Sequence, residues 1–193
     1  MVYLQTQLIF VRHGQTDWNK KNLIQGQSDV PLNEIGRKQA TEKADFFIKR
    51  NFDIAYSSPL VRAYETGQII LKNSDIKICK DIRLKERNFG LIEGHHVMQI
   101  RTTIRKLEID STIEKDELLE KRLADFIQDV LKLHQGKTII IIAHSHVIKA
   151  AQRVINPQKP LEYSTSTKNL SVFDFTYNYD TRTWVTNLLE VIN

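Results

Sequence analysis

Two hydrophobic periods alternate along the chain. Short apolar runs predict strands at Leu8-Ile9-Phe10-Val11, at residues 53–56 and at residues 76–79. Thr138-Ile139-Ile140-Ile141-Ile142-Ala143 is the clearest of them, β-branched and apolar on both faces, as a central parallel strand is. Between the runs the period lengthens to that of a helix. Asn33 caps a predicted helix from residue 34 to about 50, with Ala40, Ala44, Phe47 and Ile48 on one face. Ser58 reads as the cap of another, with Pro59 in its first position and Ala63, Ile69 and Ile70 inside. A long helix is expected over residues 114–133, its stripe formed by Leu119, Leu123, Phe126, Ile127 and Val130. A further helix is expected over residues 146–155. Residues 171–177 and 183–190 read as a closing antiparallel pair around Asn178-Tyr179-Asp180. Residues 80–110 show no clear period. Alternating strands and helices predict an α/β three-layer sandwich with a mostly parallel central sheet and an antiparallel edge strand. No repeat or linker interrupts residues 1–193, so one domain is expected.

Composition narrows the class. The chain has 193 residues, 41% of them hydrophobic and 26% charged, enough to close a core and too apolar for extended disorder. The longest apolar run, residues 138–143, is too short to span a bilayer, and no basic leader precedes the apolar stretch near the N-terminus, so neither membrane insertion nor a signal peptide is expected. The single cysteine, Cys79, excludes an internal disulfide framework and reads as a small buried apolar residue. It suits a reducing compartment, and the cytoplasm is the expected one. The net charge of +5 is spread among acids, with no basic block or zinc-finger spacing. Nucleic acid is therefore not the expected partner.

Candidate chemistry sits where strands end. Arg12-His13-Gly14 follows the first strand, His144 follows the central one, and Arg62 lies in the first turn after the second. In a doubly wound sheet these ends open on one crevice. Two histidines and two arginines at one rim call for a dianion such as phosphate, helped by a helix N-terminus. Each residue alone has a plainer reading. His144 fits a hydrogen-bonded strand-end histidine, Arg62 a partner of Glu65 three positions on, and Glu86 a surface charge between Lys85 and Arg87. His95-His96 fits a metal site no better than a solvent-facing pair, and His134 reads as a favourable charge at a helix C-terminus.

Longer motifs carry a resemblance. Arg12-His13-Gly14-Gln15-Thr16 with Trp18-Asn19, the loop from Gln25-Gly26 to Asn33, and Ser57-Ser58-Pro59-Leu60-Val61-Arg62 occur in order. Leu84-Lys85-Glu86-Arg87-Asn88-Phe89-Gly90 with Glu93-Gly94, then Ile142-Ala143-His144 and Asn169-Leu170-Ser171-Val172, follow. Together they resemble the histidine phosphatase superfamily, the phosphoglycerate-mutase-like enzymes, over almost the whole chain. That resemblance implies a phosphoglycerate-mutase-like fold and a phosphomonoester hydrolase with no metal and no cofactor. It makes His13 the nucleophile that forms a phosphohistidine. Arg12, Arg62 and His144 hold the phosphoryl oxygens, and Glu86, protonated by burial or by the dianion, donates a proton to the leaving alcohol. Asn19, with Gln25 or Gly26, is expected to add phosphate contacts.

One departure stands out. The family usually has glycine after the second histidine, and this chain has Ser145-His146. Ser145 is expected to cap the following helix and to offer a hydroxyl near phosphate; His146 sits at the pocket edge or packs. The acid segment and the Gln25-Gly26-Gln27 loop are closer to phosphatases than to phosphoglycerate mutases, which read Glu-Arg-His-Tyr-Gly there. A cofactor-dependent mutase and an idle phospho-ligand binder are the alternatives. The expected partner is a small phosphorylated metabolite, with the substrate and a homodimer left open. Residues 95–115 should form the variable wall, where Arg101, Arg105 and Lys106 read as an anion site or as a solvated helix face.

Overall fold

In a computed structural model, which describes residues 4–103, 112–159 and 167–187, the apolar runs become strands. These are β1 (Gln5–Arg12), β2 (Ile54–Ser57), β3 (Ile78–Lys80), β4 (Thr138–Ala143), β5 (Val172–Asn178) and β6 (Thr183–Asn187). They form a six-stranded sheet in the order β3-β2-β4-β1-β5-β6. The pairs β1–β4, β4–β2 and β2–β3 are parallel, whereas β5 runs antiparallel to both β1 and β6. The expected antiparallel edge strand is thus one position in from the edge. A β5–β6 hairpin reverses the chain twice, and the edge falls to β6.

The helices are α1 (Asp17–Lys20), α2 (Glu34–Ile48), α3 (Val61–Ile70), α4 (Val97–Thr103), α5 (Asp116–Leu133) and α6 (Ser145–Ile155). Alternation within β1 and β4 sorts them into layers. Leu8, Phe10, Ile139 and Ile141 pack with the α5 stripe and with Val147, Ile148 and Ala151 of α6. Ile9, Val11, Ile140 and Ile142 pack with Phe47 of α2 and Ala63 and Ile70 of α3. The sheet is apolar on both faces and covered on both, the condition for a parallel sheet.

Several local expectations change. Asn33 caps α2 as expected, its side chain accepting from the Gly36 N–H (2.8 Å). Ser58 does not cap α3, which begins after Leu60; its hydroxyl lies 2.8 Å from His144 Nε2 and accepts the N–H of Leu60 (3.3 Å), one residue ahead of the helix. The Val61 N–H at the start of α3 donates to Asp29 (2.7 Å), so the cap comes from a distant loop. Nor does Ser145 cap α6, because its hydroxyl pairs with that of Thr167 (2.7 Å). His134 ends α5 but is no C-terminal cation. Burial lowers its pKa, and its Nε2 pairs with the Tyr56 hydroxyl (2.9 Å). Cys79 is exposed, because β3 is the sheet's other edge.

Candidate active site

Strand pairing creates the centre of the site. β1 and β4 are neighbours in register, Arg12 opposite Ala143, so the next residues of both strands, His13 and His144, emerge side by side. Their ring centroids lie 5.2 Å apart, and both side chains are buried. His13 Nδ1 lies 2.7 Å from the Gly14 carbonyl, which can only accept. Nδ1 therefore carries the hydrogen and Nε2 the lone pair. Burial, reinforced by Arg62, His144 and Arg12, holds the imidazole well below its ordinary pKa. Burial first, then Arg62, does the same for His144. His13 is thus a neutral nitrogen base with its nucleophilic edge unprotonated at neutral pH.

Gly14 owes its place to packing. A Cβ there would lie 2.7 Å from the Gly36 carbonyl oxygen, so the loop after β1 rests directly on the first turn of α2. The Gly14 N–H donates to Thr66 Oγ1 (3.0 Å), and that hydroxyl donates to the Arg62 carbonyl (2.6 Å), tying the loop after β1 to α3.

Arg62 is fully buried. It does not pair with Glu65, which takes Arg37 (2.6 Å). Its Nη1 and Nη2 donate to the carbonyls of Ser28 (2.8 Å) and Gly26 (2.7 Å). Those carbonyls belong to a loop moored by Glu93, whose carboxylate accepts the N–H groups of Gln27, Ser28 and Phe89 and the Ser28 hydroxyl at 2.6–3.0 Å. Gly26 sits at φ +51°, where a side chain would be strained and would strike Glu93. Burial pushes Arg62 down to about 10, so it stays cationic at neutral pH. Arg12 donates to the Thr167 carbonyl. Arg12 Nε, Arg62 Nε and His144 Nδ1 are buried with no hydrogen-bond partner among the described residues. Buried donors in that state fit an oxyanion ligand.

Glu86 is 7% exposed rather than a surface charge. Its carboxylate accepts the N–H groups of Arg87 (2.9 Å) and His146 (3.2 Å), and Arg122 of α5 donates to its carbonyl (3.2 Å). Burial acts to raise its pKa, but His146 and the Arg87 N–H outweigh burial and hold it well below the usual carboxylate range. Of the two expected sources of a protonated Glu86, burial is outweighed here, which leaves the phosphate dianion. The N-terminus of α6 receives this carboxylate.

All the expected site residues, His13, Glu86, Arg12, Arg62, His144, Asn19, Gln25, Gly26 and Ser145, lie in this region, and all but His144 line one cleft of about 310 Å³. His144 stands behind it against His13, its Nε2 2.8 Å from the Ser58 hydroxyl. Asn19 Oδ1 accepts from Thr16 and Asn169, and Gln25 Oε1 from Thr16, which orients both amides. Phe89, Leu23, Ile24, Val97, His146, Lys149 and Thr167 complete the lining, His146 at its edge as expected. Sequence reasoning missed Lys149, although a lysine between Val147-Ile148 and Ala150-Ala151 was a signal. It is 3% exposed, and burial lowers its pKa. His95 and His96 belong to no metal-binding cluster of side chains among the described residues. Arg105 and Lys106 lie outside the described residues, as does the Arg101 side chain.

A parallel sheet that delivers two histidines to one rim, with buried arginines and a carboxylate opposite, defines a phosphoryl-handling site. The sequence pattern of the histidine phosphatase superfamily (branch 1) matches residues 8–188, and the chain belongs to that family. It is 34% identical over 164 residues to the uncharacterized phosphatase PhoE of Bacillus subtilis (strain 168), covering 85% of this chain and 84% of that one. It is 32% identical over 173 residues to a 2,3-bisphosphoglycerate-dependent phosphoglycerate mutase of Nitrobacter winogradskyi, covering 79% and 82%. Among solved structures, a phosphoserine phosphatase of Entamoeba histolytica in complex with 3-phosphoglyceric acid superposes with a TM-score of 0.81 at 31% identity, covering 94% and 95%.

Proposed function

We propose that this member is a metal-independent phosphatase of small phosphomonoesters, working through a phosphohistidine on His13 with residues 1–193 as one domain. The observation that carries the reading is the neutral His13 imidazole, Nδ1 tied to Gly14, beside arginines whose buried Nε atoms have no partner among the described residues. His13 Nε2 attacks phosphorus in line. Arg12, Arg62 and His144 hold the equatorial oxygens and balance their charge as the group moves. Asn19, Gln25, Gly26 and Ser145 line the rest of the phosphoryl pocket. Glu86 takes up a proton when the dianion enters, passes it to the leaving alcohol, and recovers one from the attacking water.

The phosphatase and phosphoserine phosphatase relatives support hydrolysis of a small metabolite, in line with the cytoplasmic setting read from the lone cysteine. The mutase relative keeps isomerisation as the second reading. The test is phosphate release from p-nitrophenyl phosphate and a panel of phosphomonoesters, with and without EDTA. Turnover should survive EDTA, be inhibited by vanadate and vanish in His13→Ala, with acid-labile phosphate trapped on His13. Interconversion of 2- and 3-phosphoglycerate without net phosphate release would establish the mutase instead. Loss of turnover in EDTA would sink the metal-free mechanism.

A further inference from the structure

Residues 85–89 belong to no helix or strand, so the backbone around Glu86 has no ladder of its own. Its polar groups find partners on other elements. The Glu86 carbonyl accepts from Gln27 Nε2 (3.1 Å) and from Arg122 Nη2 (3.2 Å), one donor for each lone pair. Arg122 Nη1 donates to the Arg83 carbonyl, three residues earlier. Glu114 closes the other side. Its Oε2 accepts the Asn88 N–H (3.0 Å), its own N–H donates to the Asn88 carbonyl (2.8 Å), and its carbonyl accepts from Arg87 Nε (2.8 Å). Arg122 and Glu114 are joined by two bonds, Nε to Oε1 (2.7 Å) and Nη2 to Oε2 (3.0 Å). That fork fixes the plane of the guanidinium. The base of Arg122 is equally fixed, because its neighbours on α5, Leu119 and Leu123, are fully buried in the core.

We infer that Arg122, oriented by Glu114, is a positioning residue for the proton donor: it fixes the backbone of Glu86 and so the place of its carboxyl group against the leaving alcohol. This rests on the reading of Glu86 as the proton donor given above. Arg122 is not among the described residues that line the cleft, so it acts through Glu86 rather than on substrate. The two ends of Glu86 are held by different helices. α5 takes its carbonyl through Arg122, and α6 takes its carboxylate through the His146 N–H (3.2 Å). Both helices pack on the same face of the sheet, so the two anchors keep a set distance. Without the fork the carbonyl keeps Gln27 alone, a side chain from a loop, and the stretch loses its ties to α5 at Arg83 and Glu86. A proton donor must stay within hydrogen-bond reach of the oxygen it protonates, and a shift of about 1 Å costs on the order of 10²-fold.

The experiment compares kcat/KM, which runs only as far as the phosphohistidine, for glycerol 2-phosphate and p-nitrophenyl phosphate. The first releases an alkoxide that needs a proton, the second a phenolate that does not. Arg122→Lys keeps the positive charge and loses the fork. It should lower kcat/KM by about tenfold or more for glycerol 2-phosphate and by less than about threefold for p-nitrophenyl phosphate. In a Glu86→Gln background it should add no further loss specific to glycerol 2-phosphate, because the two residues act as one unit. Inhibition by inorganic phosphate should not change, since Arg12 and Arg62 stay in place. Glu114→Gln keeps the shape of the side chain but gives up the charge that orients the guanidinium. It should show the same substrate-dependent loss, and it reads the inference whether or not Arg122→Lys folds. Equal losses on the two substrates, weakened phosphate inhibition, or a further glycerol 2-phosphate loss in the Glu86→Gln background overturns the inference and leaves the phosphatase reading standing. Glu86→Gln slowing both substrates equally, or no phosphate release by the unaltered enzyme, overturns the proton-donor reading and the inference with it.

Discussion

Arg62 is asked for two things at once. Two of its nitrogens hold the Gly26 and Ser28 carbonyls, while its buried Nε has no partner among the described residues. On the proposed mechanism lysine keeps the charge but lacks the fork, so it cannot serve loop and phosphoryl group together. Arg62→Lys should therefore lower kcat/KM by about 10²-fold, close to the loss from removing an oxyanion donor, and an effect under a few-fold would remove Arg62 from the site. Arg12, His13, Arg62 and His144 were legible as motifs because each is a polar side chain where a strand ends or a helix begins. Thr167 and Arg122 were not legible, and Lys149 was signalled only by its apolar neighbours. Each takes its position from packing, Lys149 from the buried face of α6 and Arg122 from the reach of α5 toward the Glu86 carbonyl.

At the scale of elements, periodicity located every strand and the long helices to within a few residues. The α5 stripe is buried at each of its five expected positions. Caps were read poorly, for one physical reason. Ser58 and Ser145 have the right chemistry for a helix start, but tertiary partners claimed both hydroxyls, and α3 is capped from Asp29. Local sequence does not record such long-range exchanges. Glu93 shows what they do for the site, since it moors the segment whose carbonyls hold Arg62. Glu93→Ala strands three backbone N–H groups and should cost about 1–3 kcal/mol by urea denaturation. It should also weaken inhibition by inorganic phosphate severalfold; an unchanged inhibition constant would show that the mooring does not reach Arg62.

For the whole molecule, the site's chemistry sets a stability profile. Burial lowers the pKa of His13, His134 and His144 in the folded state. Unfolded, each binds a proton near the ordinary value of about 6.5. The unfolded chain then carries more protons below that pH, so the contribution of these groups is complete above it and is lost as pH falls through it. Asp174, raised by burial, opposes the trend only in the carboxylate range. Tm should be lower at pH 5.5 than at 7.5, and the gap should narrow in His144→Asn. An equal gap in that variant would assign the acid sensitivity elsewhere.

The pairing of β1 with β4 and β5 has a consequence for how the molecule comes into being. On the ribosome, β1 is made before the other strands of this sheet and finds both neighbours more than a hundred residues downstream, with Leu8 opposite Ile139 and Phe175. Until β4 has emerged, the early strand has no sheet to join. Closure of so large a loop must precede any gain from the central pairing, which places refolding among slow, non-local topologies, on a scale of roughly milliseconds to seconds. Catalytic competence should therefore return in a single late phase, since the two histidines become neighbours only when the middle of the sheet zips shut.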